Sequence, residues 1–207
     1  RAILRAAAFG NVKIMFPMIS SVEEITEAIE HLDRAAGALK KEKIEYNRDI
    51  DVGIMIEVPS TVVIADILAD LVDFFSIGTN DLVQYSLAID RGNRKVAHLF
   101  QTLHPAIIRM ICQIVQISRE KNVDLVMCGE MAGAPINMPI LLGLGMRNLS
   151  MNPPSIPIIK KTIRSLDVKT SEAFIEEVLQ QTSSFDISEL IQKNFGHIFL
   201  NMPGTGA

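Results

Sequence analysis

Tryptophan is absent from the chain and cysteine occurs only twice. The missing tryptophan decides nothing about fold or chemistry. Two cysteines, Cys112 and Cys128, are too few for a disulfide framework, and a reducing cytoplasm is the expected setting. No apolar run approaches the roughly 20 residues of a membrane span, and the start carries no secretory signal pattern. Basic residues are not in excess: a net charge of −4 gives no ground for a nucleic-acid or anionic-membrane partner. No internal repeat is visible. What the chain does have is apolar material, 48% of 207 residues, enough for one sizeable core.

That material falls into short runs alternating with helical patterns. Strands are expected at 12–16, 52–56, 73–77, 125–127 and 148–151. Helices are expected from Ser21 to about Lys43, at 61–71, 81–89, 105–121 and 139–144, and near 156–166. Ser21 and Glu24 have the spacing of a capping box, and Pro105 suits a first helical turn. Strands that are almost wholly apolar, each followed by a helix, predict a parallel sheet covered on both faces. Two further helices are expected at about 170–181 and 186–195, with a frayed tail, LNMPGTGA. The opening RAILRAAAFG reads as the last turns of a helix with Gly10 as its C-cap. It has no start signal and does not begin with Met, so the chain is expected to be a piece of a larger protein.

The polar residues with chemical potential stand at the ends of those apolar runs. In DLVMCGEMAGAP, Cys128 follows a strand and precedes a Gly-rich turn, a place where α/β proteins keep their chemistry. A small core residue is the competing reading. In DVGIMIEVPS, Glu57 directly follows an apolar strand, where a carboxylate is costly to bury unless paired or metal-bound. A surface acid at the strand's exit is the alternative. In DFFSIGTNDLVQYSLAIDRGN, Asn80 and Asp81 crowd a third strand end, with Arg91 ten residues on. Two carboxylates and an amide suit an oxygen-preferring dication such as Mg²⁺ or Mn²⁺. Asp81 also reads as an ordinary helix N-cap.

These stretches resemble Enzyme I of the bacterial phosphotransferase system, the phosphoenolpyruvate–protein phosphotransferase, over its C-terminal part. The resemblance is carried in order by RAILRAAAFG, IMFPMISSVEE, IMIEVPS, DFFSIGTNDLVQYSLAIDRGN, LHPAIIR, MCGEMAG and LSMNPPSIPIIK, and covers residues 1 to about 165. The GTNDL…DRGN and CGEMAG blocks are together highly specific. Pyruvate phosphate dikinase and phosphoenolpyruvate synthase resemble the chain less closely.

The resemblance implies the last five βα units of a (β/α)₈ barrel of the phosphoenolpyruvate/pyruvate-binding kind, incomplete in this chain. Residues 1–166 would form that partial barrel, and 167–207 a helical extension packed on it. A closed barrel usually takes about 250 residues, and an open sheet leaves unpaired edges that invite self-association. The implied reaction moves a phosphoryl group from phosphoenolpyruvate to a histidine on another domain and then to HPr. By resemblance Glu57 and Asp81 are the metal ligands, Asn80, Asp81 and Arg91 bind substrate, and Cys128 protonates the enolpyruvate left behind. A thiol with a pKa near 8.5 is mostly protonated at neutral pH and can act as an acid.

Some of the pattern is missing. His31, His98, His104 and His197 match no phospho-acceptor motif: His31 reads as a solvated helix position and His104 as a helix-opening residue. Arg1 and Arg5 do not replace the early-strand arginines of the family. Ala134 stands where the family usually has Asp. Two other classes remain open: a Mg-dependent pyruvate or oxaloacetate aldolase or lyase, which has no use for a strand-end thiol acid, and a non-catalytic binding or dimerisation fragment.

Overall fold

The structure, a computed structural model, describes residues 1–199. The expected tail LNMPGTGA lies outside the described residues. Five strands form one parallel sheet in the order of the chain: β1 (Ile14–Phe16), β2 (Val52–Ile56), β3 (Phe74–Gly78), β4 (Asp124–Cys128) and β5 (Asn148–Leu149). Each strand is the neighbour of the next, and every pair is parallel. A doubly wound sheet reverses its strand order at a switch point. A sheet that advances one way only is a sector of a (β/α)₈ barrel, as expected.

The ten helices among the described residues are α1 (Ala2–Ala6), α2 (Val22–Lys41), α3 (Pro59–Val63), α4 (Ala65–Leu68), α5 (Thr79–Ser86), α6 (Pro105–Lys121), α7 (Met138–Leu144), α8 (Ser155–Arg164), α9 (Val168–Gln180) and α10 (Ser184–Phe199). The capping signals act largely as read. The Ser21 hydroxyl accepts the Glu24 N–H at 3.4 Å, while the Glu24 carboxylate reaches back to the Ser20 N–H at 2.6 Å. His104 opens α6, its Nδ1 accepting the Ala106 N–H at 3.2 Å, and Asn122 closes that helix in the left-handed region, φ 54°.

Three local expectations are corrected. Gly10 is not a C-cap: α1 ends at Ala6, and Ala7 follows with helical dihedrals. The helix expected over 61–71 is two short ones, parted at Ile64, φ −104° and ψ 18°. Four successive β-branched residues, Thr61 to Ile64, are stiff at χ1 and crowd the preceding turn. The helix expected from Asp81 begins two residues earlier, with Gly78 at the N-cap.

The core lies between the sheet's outer face and the helices. Ile54, Ile56, Phe75, Ile77 and Met127 are completely buried there, with Ile107, Ile108 and Ile111 of α6. The two C-terminal helices belong to the same cluster through Phe174, Val178, Ile187, Ile191 and Phe195. Phe174 and Phe195 meet edge to face, 4.9 Å between ring centroids. Helix α9 crosses α7 so closely that a Cβ on Gly143 would overlap the Ser171 carbonyl. The sheet's margins are less covered: all three residues of β1 are half-buried, and β5 has one exposed and one half-buried residue.

Candidate functional site

Register brings the chemically able residues level. Ile56 pairs with Ile77, and Gly78 pairs with Cys128. The residues just beyond these rungs therefore leave three adjacent strands at the same height, at their C-terminal ends. Those residues are Glu57, the Thr79–Asn80–Asp81 turn, and the Gly129–Glu130 turn that follows Cys128 at the end of β4.

Glu57 is buried, 3% exposed, so the reading as a surface acid is set aside. One carboxylate oxygen accepts the Met18 N–H at 2.8 Å, and Met18 takes a left-handed φ of 57°. A Cβ on Gly78 would stand 2.8 Å from the other oxygen, so only glycine lets the Glu57 carboxylate lie across the end of β3. Burial pushes the Glu57 carboxyl above the usual carboxylate range, and Asp81 adds to that by charge repulsion and by accepting a hydrogen bond from the protonated form. The Met18 N–H pulls the other way. Asp81 is the third residue of α5 and half-buried. It does not cap the helix, because Gly78 holds that position.

A pair of facing carboxylates fits a hard dication, which would relieve their repulsion. Among the described residues no group of three or more His, Cys, Asp or Glu is placed to hold a metal. One or two carboxylates are what Mg²⁺ usually takes from a protein, its remaining oxygens coming from water and bound phosphates.

The Cys128 thiol sits between two partners. It donates to the Ile77 carbonyl at 3.2 Å and accepts from the Ser76 hydroxyl at 3.3 Å. Ser76 is buried, 4% exposed, and went unnoticed in the sequence. The signal was there in alternation: Ser76 breaks the apolar run FFSIG on the face opposite Phe75 and Ile77. The turn after Cys128 is held from β3–α5. Thr79 donates its hydroxyl to the Cys128 carbonyl at 3.1 Å, and Asn80 Oδ1 accepts the Glu130 N–H at 3.2 Å. Ala134 follows the short 3₁₀ turn of 130–133.

Arg91 is on the exposed loop after α5, its guanidinium 3.7 Å from the Glu130 carboxylate. Asn80, Gly129, Glu130, Gly133, Met151, Asn152 and Ser155 line a cavity of about 280 Å³ beside Cys128. At the opposite end of the strands, Arg119 and Arg147 line another of about 280 Å³. There the two guanidiniums are occupied with carbonyls near the end of α7, those of Leu144, Leu142 and Met146. The histidines carry no comparable arrangement: His31 is exposed and 3.6 Å from Glu27. Both cysteines are free, and no helix among the described residues is long and apolar enough to cross a membrane.

Comparison with known proteins gives the family. The profile of the PEP-utilising enzymes' PEP-binding domain matches residues 1–168. Phosphoenolpyruvate-protein phosphotransferase of Priestia megaterium is 44% identical over 195 residues, 94% of this chain and 34% of the relative. That of Bacillus subtilis strain 168 is also 44% identical over 195 residues, and that of Haemophilus influenzae is 42% identical over 193. The chain therefore spans about a third of the length of these relatives, 34% in each. Among solved structures, a citrate lyase from Burkholderia xenovorans LB400 superposes with a TM-score of 0.55 over 99% of this chain and 69% of its own. At 16% identity that likeness concerns the fold alone.

Proposed function

The chain belongs to the PEP-utilising enzymes through their PEP-binding domain, and on that premise we propose that it is the phosphoenolpyruvate-holding part of a phosphoenolpyruvate–protein phosphotransferase. The observation that carries this reading is the gathering of these groups at the C-terminal ends of three adjacent strands. Glu57 and Asp81 face each other there, and Asn80 is bonded to the turn that bears Cys128. Relatives at 40% identity or more are named as phosphotransferases, which favours this reading over an aldolase or lyase.

Each residue then has a task. Glu57 and Asp81 hold Mg²⁺ or Mn²⁺. Such an ion supplies charge neutralisation to the substrate's carboxylate and phosphate. Asn80 has its carbonyl oxygen engaged by Glu130, which leaves its amide hydrogens to donate to the phosphate. Arg91 gives that group a planar, permanently charged fork, and its 3.7 Å approach to Glu130 is loose enough to exchange. The phosphoryl group leaves for a histidine on another domain, and HPr takes it from there. The electron pair of the enolpyruvate then takes the Cys128 proton at the methylene carbon, giving pyruvate. The thiolate that remains is met by the Ser76 hydroxyl and regains a proton from water.

In this reading the 207-residue chain does not turn over phosphoenolpyruvate by itself, and its half-covered sheet margins draw it into self-association. The free cysteines suit a cytoplasmic setting. The test is a single-turnover experiment in a longer phosphotransferase that contains this sequence, following phosphohistidine and pyruvate separately. Cys128→Ser leaves the first and loses the second. Equal loss of both would remove the proton-donor role.

A further inference from the structure

We propose that Thr79 is the positioning residue for the Cys128 thiol, acting through the backbone of the turn that carries it. The proposal rests on the reading above only for what the thiol's orientation serves.

Thr79 is the first residue of α5 and is completely buried. A hydroxyl is costly to bury without a partner, and valine has the same shape without one. The Thr79 hydroxyl donates to the carbonyl of Cys128 itself, at 3.1 Å. Its neighbour Asn80 accepts the N–H of Glu130, at 3.2 Å. The two bonds grip the chain on either side of Gly129, whose φ of +98° favours glycine. A Cβ on Gly129 would lie 2.5 Å from Thr79 Oγ1 and 3.2 Å from Asn80 Oδ1. Hydroxyl, amide and the bare glycine therefore form one tight seam between the two turns. Below it, Gly78 and Cys128 form the last rung of the β3–β4 ladder. The thiol is thus aimed by a backbone held at both ends, with Ser76 and Ile77 as its immediate partners.

The test needs no catalysis. Iodoacetamide alkylation of the 207-residue chain is followed at each cysteine by peptide mass spectrometry, with Cys112 as internal control. Thr79→Val removes the donor and keeps the shape, and Cys128 is expected to react about fivefold faster relative to Cys112, the effect of losing one ordinary hydrogen bond. Thr79→Ser keeps the wild-type ratio. Should Thr79→Val loosen the whole fold, Asn80→Ala reads the same seam from a half-buried position, and the ratio is again expected to rise. An unchanged ratio in a folded Thr79→Val, or in Asn80→Ala where Thr79→Val does not fold, overturns the proposal. In a longer phosphotransferase containing the sequence, Thr79→Val is expected to slow pyruvate formation while histidine phosphorylation persists, with Thr79→Ser restoring it. If alkylation responds and pyruvate formation does not, the positioning stands and the proton-donor role of Cys128 falls.

Discussion

Glu57 and Asp81 face one another across the ends of β2 and β3, and burial together with this like-charged neighbour holds the Glu57 carboxyl above its ordinary range. The pair is strained when both groups are charged. That strain is what a dication, a shared proton or a neutral side chain removes, and the first predictions follow from it.

Without added metal, Glu57→Gln is expected to stabilise the chain at neutral pH. The folded-state pKa of Glu57 is raised, so the folded chain holds this proton more tightly than the unfolded one. Its contribution is complete below the ordinary glutamate range and is lost as pH rises through the raised value. Gln keeps an oxygen for the Met18 N–H and turns the repulsion toward Asp81 into donation. Each kcal/mol moves the melting temperature of a chain this size by about 2–4 °C. Melts across pH 4 to pH 8 should show the variant's advantage growing with pH. A gap that shrinks as pH rises contradicts the sign.

Mg²⁺ should stabilise the wild-type chain and leave both Glu57→Gln and Asp81→Asn unmoved, because each variant lacks one charged oxygen ligand of a hard cation. In a longer phosphotransferase, the same substitutions are expected to remove Mg²⁺-dependent phosphoryl transfer. Near wild-type rates at ordinary Mg²⁺ in both variants would show that the ion is held elsewhere.

Taken alone, the 207-residue chain is expected to bind phosphoenolpyruvate with Mg²⁺ only weakly, since Arg91 is all that remains here of the cationic grip the family resemblance calls for. It should sediment as dimers or larger species, because β1 and β5 each pair on one side only among the described residues. Calorimetry and sedimentation velocity measure the two halves. Micromolar binding by a stable monomer would contradict both.

Gly143→Ala should destabilise by about 1–3 kcal/mol despite the better helix propensity of alanine, because the new methyl meets the Ser171 carbonyl where α7 crosses α9. Urea denaturation gives the comparison. An unchanged midpoint would mean that the crossing can open without cost.

Much of the architecture was legible because buried parallel strands must be apolar along their whole length. Val52–Ile56 and Pro105–Lys121 have the bounds read from the sequence. Local conflicts were harder to read. A run of β-branched residues split α3 from α4, and Gly10 mimicked a C-cap although α1 had already ended. Chain position settles neither, because helix ends depend on what packs beside them.

The sequence by itself determined which residues end the apolar runs: Glu57, Asp81 and Cys128 stand out because a polar group directly after a buried strand needs a reason to be there. Tertiary structure alone decided that they meet. Strand order and the pairing of Gly78 with Cys128 bring together groups dozens of residues apart. Asp81, which taken alone read first as a cap, becomes the facing carboxylate only because α5 starts at Thr79. The roles of Ser76 and Thr79 were not legible for the same reason. In the sequence Ser76 shows only as a break in FFSIG and Thr79 as one of several polar residues in GTND; a partner for either hydroxyl exists only when another strand's sulfur and carbonyl arrive within hydrogen-bonding distance.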